Sequence, residues 1–320
     1  MALTSIIITT HNRPQLLGRA VESALDAGTD VEVIVVDDAS SDETSNVSED
    51  LSGIRYVRIE RQQRVAGARN VGLLASKGEY ITFLDDDDMR LRGSIDLQVK
   101  LLEEDTHAGM IYGQAHCLDQ ERQTSTQIYP LECPEGDVFW ELLAQNFIPC
   151  GSAVFRRSCL ERVGILDDYL SGLDDWDLWI RIAELFPVIA LKEPVMQWRR
   201  SHPTSKQGTS EASVIVSKCV KQFRKSWLKL PRVAGASRRL RRQAWDRFSV
   251  NMAAHLCWET IRSLRHRNAV QALKNFFTLP LLGPLVIVSL VRQNVGAKLW
   301  RKVVLKTRAT PSLNSPQGRI

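Results

Sequence analysis

The hydrophobic positions of this 320-residue chain switch repeatedly between a strand-like and a helix-like period. Ser5 to Thr9 and Val31 to Val36 are continuous β-branched apolar runs, whereas Arg13 to Ala27 between them spaces Leu16, Leu17, Ala20, Val21, Ala24 and Leu25 as one face of a helix. That is a βαβ unit, and the pattern predicts its continuation. A third strand fits Ile54 to Glu60, a helix Ala66 to Ser76, and a fourth strand Glu79 to Leu84, which stops on Asp85, Asp86, Asp87 and Asp88. Further on, the spacing predicts a helix over Ser94 to Glu103 with Ser94 as its N-cap, strands over Gly109 to His116 and Gly151 to Phe155, and helices over Arg157 to Val163 and Asp174 to Leu185. Parallel strands alternating with helices bind ligands at the carboxyl ends of the strands, so Asp37-Asp38 and the four-aspartate run are expected to face one crevice.

Charge divides the chain where the pattern changes. Residues 205–320 hold 23 Lys and Arg against three acids, net +20, while residues 1–204 carry 19 basic and 34 acidic residues, net −15. The expected organisation is therefore a catalytic α/β domain over 1–204 and a basic, mainly helical region over 205–320, with the polar stretch His202 to Gly208 at the boundary. An acidic first part suits a divalent cation, and a basic second part suits an anionic partner, either lipid or nucleic acid. No aromatic-basic interleaving supports nucleic acid. The six cysteines form no CxxC pair, which removes support for a zinc ribbon and predicts reduced thiols. The N-terminus has no basic flank before its short apolar run, so the catalytic part is expected to stay in the cytoplasm.

Four consecutive carboxylates at a strand end repel one another, and burying them unpaired would cost several kcal/mol each, on the order of the penalties for isolated buried charge. Mg²⁺ or Mn²⁺ bridging a diphosphate satisfies that demand, since such ions take one or two carboxylates and complete their shell with phosphate and water. A solvated acidic turn is the alternative.

SIIITTHNRP, VEVIVVDDASSDET, GARNVGLLASKGEYITFLDDDD and GLDDWDLWIRIA stand in the order and spacing of the family 2 inverting glycosyltransferases of GT-A fold, which the chain resembles over roughly residues 4 to 204. The resemblance implies a Rossmann-like, mostly parallel sheet flanked by helices. It places Thr9, His11 and Asp38 at the nucleotide base, with Asp38 accepting a uracil-type N3–H and His11 either stacking or serving as an ordinary loop histidine. Arg69 is implied at the diphosphate or, alternatively, as a surface arginine. Asp85, Asp86 and Asp87 match the DxD signature, Asp87 as direct metal ligand and the other two toward ribose and metal. His202 stands where relatives complete the metal or diphosphate site, or is an exposed loop histidine. Arg92 replaces a common family proline, which leaves the ligands intact.

Inverting transfer needs one general base opposite a metal-stabilised leaving group. The resemblance implies Asp175 for that role, with Asp174 at the donor site where relatives carry Glu; helix N-capping is the structural alternative for the pair. Gln197-Trp198-Arg199-Arg200 is not the QxxRW of processive synthases, so transfer of a single sugar is expected. Phe147 to Phe155 is implied on the acceptor side. The activity expected is metal-dependent transfer from a UDP-linked sugar to a lipid-linked or other envelope glycan precursor; a nucleotidyltransferase and a catalytically silent sugar-nucleotide scaffold are the alternatives. Within the basic region, apolar Phe276 to Val291 is flanked by Lys274 and by Arg292, Lys298, Arg301 and Lys302, and Arg238, Arg239, Arg241 and Arg242 extend the basic face. That pattern suits either a segment lying in an anionic membrane surface, with peripheral attachment, or a buried helical hairpin.

Overall fold

The computed structural model describes residues 3–118, 125–170, 172–199, 211–265, 267–283 and 286. The chain divides into two compact units, Met1–Thr209 and Ser210–Ile320.

The first unit is built on one sheet. Strand β1 (Thr4–Thr10) is followed by helix α1 (Pro14–Leu25), β2 (Val31–Asp38), α2 (Thr44–Asp50), β3 (Ile54–Ile59), α3 (Arg64–Ala75) and β4 (Tyr80–Asp85). These strands lie parallel in the order β3-β2-β1-β4, the arrangement expected of right-handed βαβ crossovers. The register sets Thr9 beside Asp85 and Thr10 beside Asp37, which gathers the polar strand ends at one edge of the sheet. The sheet then becomes mixed. After the two-residue β5 (Met89–Arg90) and α4 (Ser94–Glu104) come β6 (Met110–Leu118), β7 (Ser125–Tyr129), α5 (Phe139–Ala144), β8 (Ala153–Arg156), α6 (Arg157–Val163), α7 (Asp174–Leu185) and β9 (Val188–Arg199). The remaining order is β4-β8-β6-β9-β5, with β7 pairing off β6.

Alternate residues of β1 serve opposite layers, as a strand buried on both faces requires. Ile6 and Ile8 join Leu17, Val21, Val99 and Leu102 in the core formed with α1 and α4. Ile7 faces the other way, toward Gly72 of α3; a Cβ built on Gly72 would stand 2.3 Å from Ile7 Cγ2. The glycine therefore sets how closely α3 approaches the sheet. The expected Ser94 cap is corrected by the structure: Gly93, in the left-handed region at φ 69°, precedes α4 and Ser94 is the first helical residue, with no side-chain cap. A residue without Cβ is favoured there because the chain must reverse sharply into the helix.

The second unit is helical: α8 (Ala212–Lys225), α9 (Pro231–Ala234), α10 (Arg238–Arg265) and α11 (Ala269–Thr278). Its core is aromatic. Phe223 lies 4.6 Å from Phe248 and 6.1 Å from Trp227, centroid to centroid, and the Arg224 guanidinium sits 5.0 Å above the Trp245 ring. None of the six cysteines, all among the described residues, forms a disulfide. Among the described residues no helix is long and apolar enough to cross a membrane. Of the apolar segment Phe276 to Val291, the structure describes the end of α11, a short 3₁₀ turn over Leu279–Leu282, Gly283 and Val286; the rest lies outside the described residues.

Gly72→Ala should lower the stability of the chain by about 1–3 kcal/mol, the usual cost of overpacking, because Ile7 stands on a buried strand and cannot retreat. Urea unfolding of the variant beside the parent measures it, and an unchanged midpoint would contradict the close α3–β1 packing.

Candidate active site

The loops that follow β1 and β2 are stitched together by short polar contacts. Asn12 N–H donates to Ser40 Oγ at 2.9 Å and Ser41 N–H to Asn12 Oδ1 at 2.8 Å. Asn12 and Ala39 both take positive φ, 55° and 59°, a conformation that costs a non-glycine residue and persists where its surroundings enforce it. His11 Nδ1 lies 2.7 Å from the Asp38 carbonyl oxygen, so the ring is held at the mouth of β2. Of the two β2 acids, Asp37 is fully buried and accepts from Tyr56 Oη at 2.8 Å and Arg58 Nη1 at 3.1 Å. Asp38 accepts from the Gln63 N–H at 2.6 Å. Thr9, His11 and Asp38 thus share one end of the sheet, with Asp37 turned into the structure beneath them.

The four-aspartate run does not alternate. Asp88 N–H donates to the Asp85 carbonyl at 3.0 Å, closing a tight turn that returns residue 88 to the side of residue 85. Asp85, Asp87 and Asp88 accordingly offer carboxylate oxygens that all lie within 4.8 Å of one another. Burial, and then Asp85 and Asp87, hold the Asp88 carboxyl well above the usual range; burial and Asp85 push Asp87 up as well, against the pull of Arg13. Acids held reluctant to ionise in this way are a fitting shell for a hard, oxygen-seeking divalent cation. Asp86 faces elsewhere: it accepts from Thr10 Oγ1 at 2.8 Å and Arg13 Nη1 at 2.6 Å, and burial raises it to about 7 despite that arginine. Arg13 also lies 3.5 Å from Asp87. The sequence-based expectation gives neither Asp88 nor Arg13 a role of its own, although the DDDD run and the HNRP string contain them.

Arg69 is no surface residue. Its side chain is 3% exposed, and it donates to Asp85 at 2.7 Å through one terminal nitrogen and to Asp174 at 2.8 Å through the other. Its guanidinium rests 5.2 Å from the Phe83 ring centroid, and Phe83 packs on Phe155 and Trp179 at 5.7 and 6.5 Å. Trp179 belongs to α7, so the same aromatic layer that supports the arginine seats the helix carrying Asp174 and Asp175. Asn70 adds a second tie, donating to the Leu166 carbonyl at 2.9 Å and accepting from the Leu166 N–H at 3.1 Å. Asp177 and Arg181, at 2.8 Å, and the Trp176 indole N–H, 2.7 Å from the Leu142 carbonyl, fix the rest of α7.

Asp175 is left as the half-buried carboxylate of this helix start. Oδ1 accepts the Trp176 N–H at 2.7 Å, and burial followed by the neighbouring Asp174 pushes the group to about 7, against the nearby Arg69. A carboxylate poised near neutrality suits general-base work. Cys150, in the Phe147 to Phe155 segment, is held as a neutral thiol by burial and faces the same group of charges. His202 lies outside the described residues.

These features set two acidic groups, joined through Arg69, at the strand ends of an α/β sheet. The profile of glycosyl transferase family 2 matches residues 5–164, half of the chain, which belongs to that family. This sets the nucleotidyltransferase alternative aside. Among relatives, the chain is 30% identical over 219 residues to an uncharacterized glycosyltransferase of Rickettsia felis, covering 66% of itself but 36% of that protein. It therefore spans about a third of that relative's length. It is 28% identical over 185 residues to WfaP of Escherichia coli, named a UDP-Glc:alpha-D-GlcNAc-diphosphoundecaprenol beta-1,3-glucosyltransferase, covering 57% of itself and 70% of WfaP. Its fold is that of S. aureus TarS, residues 1–349, at TM-score 0.52, 14% identity and coverage of 91% and 92% of the two chains. The mannosyltransferase PcManGT of Pyrobaculum calidifontis, solved with GDP-Man and Mn²⁺, matches at TM-score 0.55, 18% identity and coverage of 91% and 86%. The GT-A fold expectation is thereby borne out.

Arg69→Met should cost about 3–5 kcal/mol, because it strands two carboxylates, one of them fully enclosed. Arg69→Lys should recover only part of that, since a point charge cannot span both acids as a planar fork does. Denaturant unfolding of the three proteins would contradict the bridge if all were equally stable.

Proposed function

We propose that the protein is a metal-dependent, inverting glycosyltransferase that moves a single sugar from a UDP-linked donor to a hydroxyl of a glycan or lipid-linked acceptor, with Asp175 as general base. The observation that carries this reading is the pairing of two unlike acidic groups through Arg69: the three-carboxylate cluster of Asp85, Asp87 and Asp88 on one side, and on the other Asp174, next to which stands Asp175, a half-buried carboxylate near neutrality. One group suits a cation and its diphosphate, the other a proton.

Thr9, His11 and Asp38 would frame the base of the nucleotide, His11 being steadied by the Asp38 carbonyl. A divalent cation, Mn²⁺ or Mg²⁺, held by Asp85, Asp87 and Asp88 with His202, would supply charge neutralisation for the departing nucleoside diphosphate. Arg13 draws Asp86 away from that cluster, so we assign Asp86 to shaping the pocket and the nucleotide side rather than to direct ligation. Arg69 orders the diphosphate side from beneath by fixing Asp85, and orients the base by fixing Asp174. Asp175 would take the proton of the acceptor hydroxyl as its oxygen forms the new glycosidic bond, while the bond from the anomeric carbon to the diphosphate breaks on the opposite face. One base without a second nucleophile gives inversion. The lipid-linked acceptor is supported by the name of WfaP and by that of a Campylobacter jejuni relative, 28% identical over 193 residues, called a GalNAc(5)-diNAcBac-PP-undecaprenol beta-1,3-glucosyltransferase. The basic charge of residues 205–320 supports work at the cytoplasmic face of a membrane, attached peripherally.

Asp175→Asn tests the base. The variant should bind donor nucleotide as the parent does yet turn over roughly 10²-fold more slowly, the scale of a lost general base. Because burial, Asp174 and Asp85 favour its protonated form and Arg69 opposes them, the parent's rate should rise about tenfold per pH unit below neutrality and level off above it. A flat profile in the parent, or an active Asp175→Asn beside a dead Asp174→Asn, would assign the proton to another group.

A further inference from the structure

Helix α11 is built inside out. A helix of a water-soluble unit buries its large apolar side chains and shows polar ones to solvent. In α11 the residues turned inward are Ala272, Asn275 and Thr278, small or polar. The residues turned outward are Val270, Leu273, Phe276 and Phe277, with 66%, 56%, 59% and 71% of their surface exposed. Val270, Leu273 and Phe277 fall at i, i+3 and i+7, one continuous stripe, and they border a groove of about 700 Å³ between α8 and α11. Its charged lining is basic: Lys218, Lys221 and Lys274, the last also paired with Glu211 at 2.7 Å. An apolar stripe of this kind on a soluble surface marks a site that something covers.

Resting on the reading of the enzyme as one that meets a lipid-linked acceptor, we propose that the α8–α11 face of the second unit is its membrane-docking surface: Val270, Leu273 and Phe277 enter the headgroup layer of an anionic bilayer while Lys218, Lys221 and Lys274 meet lipid phosphates. Charge selects this occupant over a second copy of the chain. A two-fold pairing through the face would bring its lysines against their own images, within a region of net charge +20, whereas anionic headgroups neutralise them. The geometry is that of an interfacial amphipathic helix, with an apolar face next to a rim of lysines that reach outward. Nothing in the aromatic core of the unit depends on the exposed stripe, so changing it leaves the fold intact.

The test is co-sedimentation of the full chain with phosphatidylcholine vesicles, with and without phosphatidylglycerol. The parent should bind the anionic vesicles and be partly released by salt, since exposed charges are screened within about 10 Å at 0.1 M. Leu273→Asp with Phe277→Asp should lower the partition about tenfold or more. Lys218→Glu with Lys221→Glu should lower it to a similar degree on anionic vesicles only, each lost basic residue being worth roughly fivefold. Both double variants should melt as the parent does and bind donor nucleotide unchanged. A parent that ignores anionic vesicles, variants that bind as the parent, or a lipid-free dimer that the aspartates dissolve, overturns the proposal; the last would assign the face to a second copy. Vesicle binding that follows these expectations in a protein transferring no sugar from any nucleotide donor would sustain the docking face and overturn the proposed function.

Discussion

The site depends on one buried cation held between two acids. Arg69 lies under the sheet edge with its terminal nitrogens divided between Asp85, the last residue of β4, and Asp174, the first of α7. These residues are far apart in sequence, and each belongs to a different half of the proposed chemistry. A guanidinium enclosed in this way needs both partners, because desolvating it against only one would leave charge uncompensated. Its fork geometry then fixes the separation of the two carboxylates, which a flexible ammonium would not. The strand end that suits the cation and the helix start that suits the proton are consequently set as a unit.

Everything around the bridge serves to make it tolerable. Phe83, Phe155 and Trp179 form the apolar floor, and the Phe83 ring meets the face of the guanidinium. Gly72, two helical positions beyond Asn70, lets α3 sit close enough to β1 for Arg69 to reach the strand end. Arg13 performs a comparable service for Asp86, and with that acid drawn aside the remaining three carboxylates face one another, Asp85 held by Arg69, Asp87 flanked by Arg13 and Asp88 accepting from the Arg199 N–H at 2.8 Å. Mutual repulsion and burial hold Asp87 and Asp88 above the ordinary carboxylate range. A divalent ion relieves that tension more completely than protonation does, because it neutralises several acids at once.

Much of this was legible in the residues. β1 to β4, α1, α3 and α7 were legible in outline, since β1, β2 and β4 read as apolar runs and α1 carries a clear apolar stripe. Other parts were concealed for identifiable reasons. β9 holds Lys192, Glu193 and Pro194 in its middle, and the pairing with β6 steps from Leu191 opposite Gly113 to Pro194 opposite Gln114, a bulge that breaks the two-residue period. The grouping of Asp85 with Asp88 depends on a turn, and a run of identical residues gives no sign of where the turn closes. Arg69 was legible as a candidate, yet its burial and its second partner, 105 residues away, are products of tertiary packing. The inverted face of α11 was visible only as an apolar stretch; that its large residues point outward depends on what the rest of the unit leaves exposed.

The central claim is that a single base on α7 acts across a carboxylate-held cation, so that the sugar is transferred with inversion. Proton NMR of the product formed from a UDP-sugar of α configuration, with and without a chelator, measures both halves together. The account predicts a β-configured anomeric proton in the product and loss of turnover on chelation, restored by Mn²⁺ or Mg²⁺. An α-configured product, or transfer indifferent to the chelator, would contradict it.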